Sequence, residues 1–237
     1  MTRSRTQERS GRVRAGLAAG VLTVVLATGC SAGDGGTEGG DASSGPTGSA
    51  AGEVCHRLFA GDAEKSLTAA LGSGTFARST DRDSVQAATA ELAAEPVAGG
   101  DTWRERRICT LYKDADSNVA ELTVTAERVL PGVADAKHTD PDAARYRVGR
   151  NAWADPNRGV VYVDCVSPRL AGAEGASPAV LAVSAWNRTS PHGDAAAYRQ
   201  ANLTLAHAAA VALVKELGCK DSGGLQERLT VQEVPAG

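Results

Sequence analysis

The side chains able to do chemistry in this chain are few and scattered. His138, Asp140 and Asp142 stand in a stretch rich in Asp and Pro, and one imidazole with two carboxylates is a donor set that divalent ions accept. Their spacing is irregular, a solvated surface loop explains them equally, and no metal ligand is assigned from the sequence. Asp114-x-Asp116-x-Asn118 has the opening spacing of a calcium loop. That loop then requires Gly at its sixth place and Glu at its twelfth, where this chain has Val119 and Thr125. A hairpin turn is the expected role. Arg104, Arg106 and Arg107 form the local basic cluster of the chain beyond its N-terminal head. Anion binding is one use for it; a charged strand edge that resists aggregation is the favoured one.

Cys219-Lys-Asp-Ser-Gly-Gly224 invites comparison with the nucleophile segment of chymotrypsin-like proteases, but Lys220 stands where that motif has Gly. No histidine lies in the matching Ala-Ala-His-Cys context, and a serine without its histidine and acid is weak, so Ser222 reads as part of a polar turn. His207 falls among apolar residues on a helical pattern, His56 follows a cysteine and His192 precedes a helix start. There is no phosphate-cradling GxxxxGK[ST] and no HExxH. No catalytic or cofactor-binding residue is therefore assigned. Trp103, Trp153 and Trp186 could line a pocket, yet large side chains are scarce here and the core is the expected home of at least two.

The cysteines say more. Apart from Cys30 there are Cys55, Cys109, Cys165 and Cys219, an even number that suggests two disulfides in an oxidising compartment. Of the three possible pairings, equal intervals favour Cys55–Cys109 with Cys165–Cys219. A four-thiol zinc site is rejected, because no two of these cysteines are close in sequence.

The N-terminus supplies the address. Arg3, Arg5, Arg9, Arg12 and Arg14 precede an apolar run from Ala15 to Ala27, which is the layout of a secretion signal and too short for a mature membrane span. It ends in Leu26-Ala-Thr-Gly-Cys30, which resembles the bacterial lipobox, with Ala27 where Leu is preferred. The resemblance implies cleavage before Cys30 and acyl chains (palmitate-type) on that cysteine. Residues 1–29 are thus read as a lipoprotein signal peptide. Residues 30–53, the lipidated cysteine and a stretch of Gly, Ser and Asp with no large apolar side chain, are read as a flexible tether. Such a coil spans roughly 25–30 Å. Residues 54–237 remain as one extracytoplasmic domain. Removing the five head arginines and Glu8 from totals of 25 basic and 28 acidic residues leaves a mature chain near −7. That charge argues against nucleic acid as a partner and leaves the membrane to be held through Cys30.

These elements must position the side chains above. A helix is expected over Asp62–Leu71, stopped by Gly72, and a second from Thr80 or Asp81 to just before Pro96. The pattern then changes to strands at Arg106–Lys113 and Ala120–Leu130, one at 145–153, and others at Val160–Val166 and Val180–Trp186. Asp155-Pro-Asn-Arg-Gly159 is read as a turn in which Pro presets φ and Gly supplies positive φ. The longest helix is Asp194–Gly218, with Leu203, Ala206, Ala210, Leu213, Val214 and Leu217 on one face, and Leu225–Val234 closes the sheet. The fold class is α+β: an antiparallel sheet of about five or six strands packed against helices, one disulfide-stapled domain. Each half places a cysteine on a strand before a polar connection and a second strand, so each disulfide is expected to tie a hairpin to its own helix.

The lipobox, the Gly/Ser tether, a cysteine near the first helix, one on a strand after Trp103 and one in Val-Tyr-Val-Asp-Cys165 resemble the large group of actinobacterial secreted lipoproteins. Some members of that group adopt a PsbP-like α+β sandwich, and the resemblance implies that fold without implying any catalytic residue. The functional expectation is a non-catalytic module on the outer face of the cell membrane, binding a small molecule, a wall component or an envelope protein. The alternative is an extracytoplasmic enzyme whose site assembles from scattered residues such as His138, Asp140 and the arginines.

Overall fold

The β-branched runs at 158–165 and 179–187 pair along their whole length, and the rest of the sheet grows outward from them. The computed structural model describes residues 48–79, 82–95, 104–172, 178–188 and 193–235. Its elements are, in order, β1 (Ser49–Ala50), α1 (Val54–Arg57), α2 (Asp62–Leu71), β2 (Thr75–Phe76), β3 (Arg78–Ser79), α3 (Val85–Ala94), β4 (Arg106–Tyr112), β5 (Leu122–Val129) and α4 (Pro131–Asp135). Then come β6 (Ala144–Tyr146), β7 (Asn151–Ala154), β8 (Arg158–Cys165), β9 (Ala179–Asn187), α5 (Ala195–Leu217), a 3-10 turn (Lys220–Gly224) and β10 (Glu233–Val234). The main sheet runs β10-β6-β7-β8-β9-β5-β4-β3, antiparallel throughout. Six of its strands have three residues or more, and two-residue strands close its edges. The architecture is the expected α+β one, with an antiparallel sheet packed against helices and two disulfides.

Period-two alternation divides the sheet into two unlike faces. Val161, Val163, Leu181, Val183, Val124 and Ala126 point to the helices and are fully buried. Against them lies α5, capped at Asp194, whose carboxylate accepts the Ala196 amide at 2.9 Å, and ended by Gly218 at φ 67°. The sequence shows one apolar stripe on this helix, but it is buried on two sides, because α2 and α3 pack on it from the other direction. Leu203, Leu205, Leu213 and Leu217 are all inaccessible, each contributing about 2 kcal/mol by area removed from water. The close seating of α5 depends on Gly159. A Cβ there would lie 2.3 Å from the Asn202 carbonyl oxygen. Gly159 therefore serves an approach of backbones and has no positive φ, contrary to the turn role read from its sequence context.

Several boundaries differ from those read in the sequence. The helix expected from Thr80 or Asp81 begins at Val85, where the Ser84 hydroxyl accepts the Ala87 amide at 3.0 Å; Thr80 and Asp81 themselves lie outside the described residues. The strand expected at 145–153 is a hairpin, β6–β7, folded at Gly149. Ser49 and Ala50, which composition places in the tether, pair with β2, and Ala51 is buried beneath them. The signal segment, Cys30 and the tether before residue 48 lie outside the described residues.

The disulfides are Cys55–Cys109 and Cys165–Cys219. Each links a sheet strand to a left-handed turn instead of to a helix interior. Cys55, His56 and Arg57 have φ of 51°, 56° and 64°, while Cys219 precedes Asp221 and Ser222 at 51° and 52°. Side chains adopt this region at a cost of about 1–2 kcal/mol per residue, and runs of them persist only where neighbours over-determine them. Here Val54 and Phe59, both buried, hold the first turn on either side.

His207 is nine-tenths or more buried on α5, and burial pushes its imidazole below the ordinary value of about 6.5, against a smaller upward pull from the Gln226 backbone. The unfolded chain thus takes up a proton near the ordinary value while the folded one does so only at lower pH. The stability this residue contributes is complete above about pH 6.5 and is lost as pH falls from there toward the depressed folded value. Thermal melting of the wild type should show this loss as pH falls below about 6.5, and His207→Leu should flatten that part of the profile. An unchanged profile would remove His207 as its source.

Candidate functional site

The face of the sheet turned away from the helices carries nearly all the chemistry. Strand pairing sets its side chains in rows. Thr123, Trp186 and Arg158 form one; Thr125, Ser184, Val160 and Trp153 form the next; Glu127, Ala182, Tyr162 and Asn151 form the third. Part of this face is sealed by α4 and the chain after it, which enclose a second small core of Val129, Trp153, Val160, Tyr162, Val180 and Ala182 against Ala134. Two polar anchors fix that cover. Arg150 reaches both Asp135 carboxylate oxygens at 2.8 and 2.6 Å and Asp164 at 2.8 Å, and the Asn151 amide donates to the Ala134 carbonyl at 2.7 Å. The hydrogen bonds from Arg150 hold the Asp135 carboxyl below the usual carboxylate range, and they and Asp164 raise the guanidinium further.

Beyond the cover the first row is open. Trp186 is 41 % exposed, between Thr123 and Arg158 on its two neighbouring strands. The Arg158 guanidinium stands 5.7 Å from the Trp153 ring centre and donates to the Ser184 hydroxyl at 3.5 Å, while its Nε is enclosed without a partner. Thr125 and Ser184 hydroxyls meet at 3.1 Å beneath it. Burial raises the Glu127 carboxyl, with Glu105 adding to the rise and Arg158 opposing it. The result is a surface of one half-exposed indole, one guanidinium and hydroxyls, suited to stacking and hydrogen bonding.

At the boundary between cover and open row, the His138 ring stacks on Trp153, 3.7 Å between centres and 14° from parallel. Asp140 and Asp155 complete a group whose nearest donor atoms lie within 4.8 Å of one another. Sequence proximity pairs His138 and Asp140 with Asp142. The fold groups Asp155 with them in place of Asp142, whose backbone amide donates to the Asp140 carboxylate at 2.9 Å. Asp155 is missed by sequence because the turn after β7 that carries it comes alongside only through the β6–β7 hairpin. It is held firmly: its Oδ1 accepts the Asn157 and Arg158 amides at 2.7 Å each. Its backbone carbonyl accepts from Asn202, which in turn accepts from Asn187 at 2.6 Å in the core.

The other candidates from sequence disperse. Asp114 and Asp116 are exposed on the β4–β5 turn, as expected of a hairpin. The arginine cluster divides: Arg104 and Arg107 are exposed, but Arg106 is buried and reaches Glu91 at 3.0 Å and Glu95 at 3.7 Å on α3, so it ties helix to sheet. Ser222 is exposed on its left-handed turn, with its amide donating to the Cys219 carbonyl. His56 is exposed; Trp103 and His192 lie outside the described residues. A hollow of about 210 Å³ beside Cys219, lined by Val211, Val214, Lys215 and Leu225, is below the usual size of a ligand pocket, about 300 Å³ or more. No family model matches the chain, and no curated protein and no solved structure matches it significantly.

Proposed function

We propose that this protein is a membrane-anchored extracytoplasmic lipoprotein that binds its ligand, a small molecule, wall component or envelope protein, on the open row of the sheet. The observation that carries the reading is the Thr123–Trp186–Arg158 row, which leaves a large indole 41 % exposed beside a guanidinium. An apolar ring of that size contributes most when a partner covers it, and the neighbouring hydroxyls and charge orient what it covers. The lipobox-like segment ending at Cys30 supports the anchor, and two disulfides fit an oxidising compartment. Among the described residues no helix is long and apolar enough to cross a membrane. The likeness to actinobacterial lipoproteins rests on the same sequence features.

The test is native mass spectrometry of the lipidated protein extracted gently from its own membrane. A defined mass retained beyond the anchor, and lost from Trp186→Ala and Arg158→Ala, is the expected result. Retention of the same mass by both variants would move the ligand elsewhere. Robust turnover in a broad hydrolase screen, abolished by His138→Ala, would replace the reading with the enzymatic one.

A further inference from the structure

We propose that His138, Asp140 and Asp155 form a binding site for one divalent transition-metal ion, with Zn²⁺ the best match. This does not rest on the binding-module reading, and either can fail alone. One imidazole nitrogen and one carboxylate oxygen from each aspartate lie within 4.8 Å of one another, brought together from a loop and from the end of β7. Two features make the group more than neighbouring acids. The His138 ring has a fixed plane, because it stacks on Trp153, which is itself buried in the second core. Its Nε2 is enclosed, with no hydrogen-bond partner in the protein. An enclosed imidazole nitrogen without a hydrogen-bond partner is rare among buried polar groups, and in its unprotonated form it offers a lone pair to a metal ion.

The remaining ligands are prepared to different degrees. Asp155 is oriented by two amides at 2.7 Å and by the Asn202 contact to its carbonyl. Ligating side chains elsewhere are commonly oriented by such outer contacts. Asp140 is exposed on its loop and can close the group. Zinc bonds of about 2.0–2.2 Å place tetrahedral donors about 3.4 Å apart, so the closing movement is on the order of an ångström. Three protein ligands leave a fourth position for water or for a group from a bound molecule. One nitrogen and two oxygens suit zinc's ligand preferences, whereas Ca²⁺ takes six to eight oxygens and gains nothing from an imidazole. The Arg158 guanidinium, 5.7 Å from the Trp153 ring centre, opposes a cation, but two carboxylates leave the local charge negative.

The experiment is calorimetric titration of Zn²⁺ into the oxidised full chain, carrying Cys30→Ser in every sample so that no free thiol competes. One ion per chain is expected. Asp140→Asn and Asp155→Asn should each weaken binding by about tenfold or more, and His138→Gln should remove it. Asp140 is exposed, so metal-free Asp140→Asn should melt with the wild type, which separates lost binding from lost folding. No binding by the wild type at hundreds of micromolar overturns the proposal. So does binding left intact by all three substitutions, which would place the ion on other groups, and so does Ca²⁺ binding more tightly than Zn²⁺.

Discussion

Replacing Cys165 and Cys219 together by alanine should lower the stability of the domain by about 4 kcal/mol, and replacing Cys55 and Cys109 should cost visibly less. Both bridges close loops of the same length, 54 residues of separation, so the entropy they remove from the unfolded chain is equal. The difference arises in the folded state. Cys55 itself has φ 51°, and His56 and Arg57 continue the left-handed run. Releasing the bond lets these three residues return to ordinary conformations and recover about 1–2 kcal/mol each, to the extent that Val54 and Phe59 permit. Cys219 has φ −63°, and the left-handed residues near it begin only at Asp221. Urea unfolding of the two double variants, compared under identical conditions, measures the difference. Equal losses would mean that packing around Phe59, not the disulfide, holds the first turn.

The features legible in the sequence are those fixed by local chemistry. The end of α2 follows from Gly72 and the bounds of α5 from Asp194 and Gly218, and these signals act within one turn. Strands β4, β5, β8 and β9 follow from apolar and β-branched runs of seven to nine residues bounded by turns and loops. The bonds Cys55–Cys109 and Cys165–Cys219 are the pairing that equal intervals favour. Contacts made across the fold are not written locally. Arg106 reads as a charged edge, but the two glutamates that neutralise it come from α3 and its C-cap, and only packing brings that helix over β4. Asp155 reads as a turn residue, which it is; that the turn lies beside His138 depends on the β6–β7 hairpin and on α4 laid across the sheet. Trp186 and Trp153 are alike in sequence and differ in burial because α4 and the chain after it, with His138 on the Trp153 ring, cover one row of the sheet and not the next.

Gly159→Ala is expected to be among the most damaging single substitutions in the chain, at about 3 kcal/mol or more. The added Cβ would meet the Asn202 carbonyl oxygen at 2.3 Å, its carbon at 2.5 Å and the Leu203 nitrogen at 2.8 Å, all backbone atoms of α5. Overfilling a core usually costs about 1–3 kcal/mol because a side chain can rotate away. Here nothing can rotate, and the helix must lift from β8 or the strand must bend. Either movement draws Asn202 from its 2.6 Å bond with Asn187 and its 3.1 Å bond to the Asp155 carbonyl, leaving buried amide groups without partners. Gly132→Ala, where an added Cβ meets nothing within 4 Å, is the matched control and should be close to neutral. Denaturant titration of both variants tests the first claim. The second reaches the functional face: if Asn202 positions Asp155, Gly159→Ala should weaken Zn²⁺ binding under conditions where it is still folded, although residue 159 is not itself one of the three ligands. A variant that loses stability but binds zinc as the wild type does would show that the Asn157 and Arg158 amides alone suffice to hold Asp155 in place.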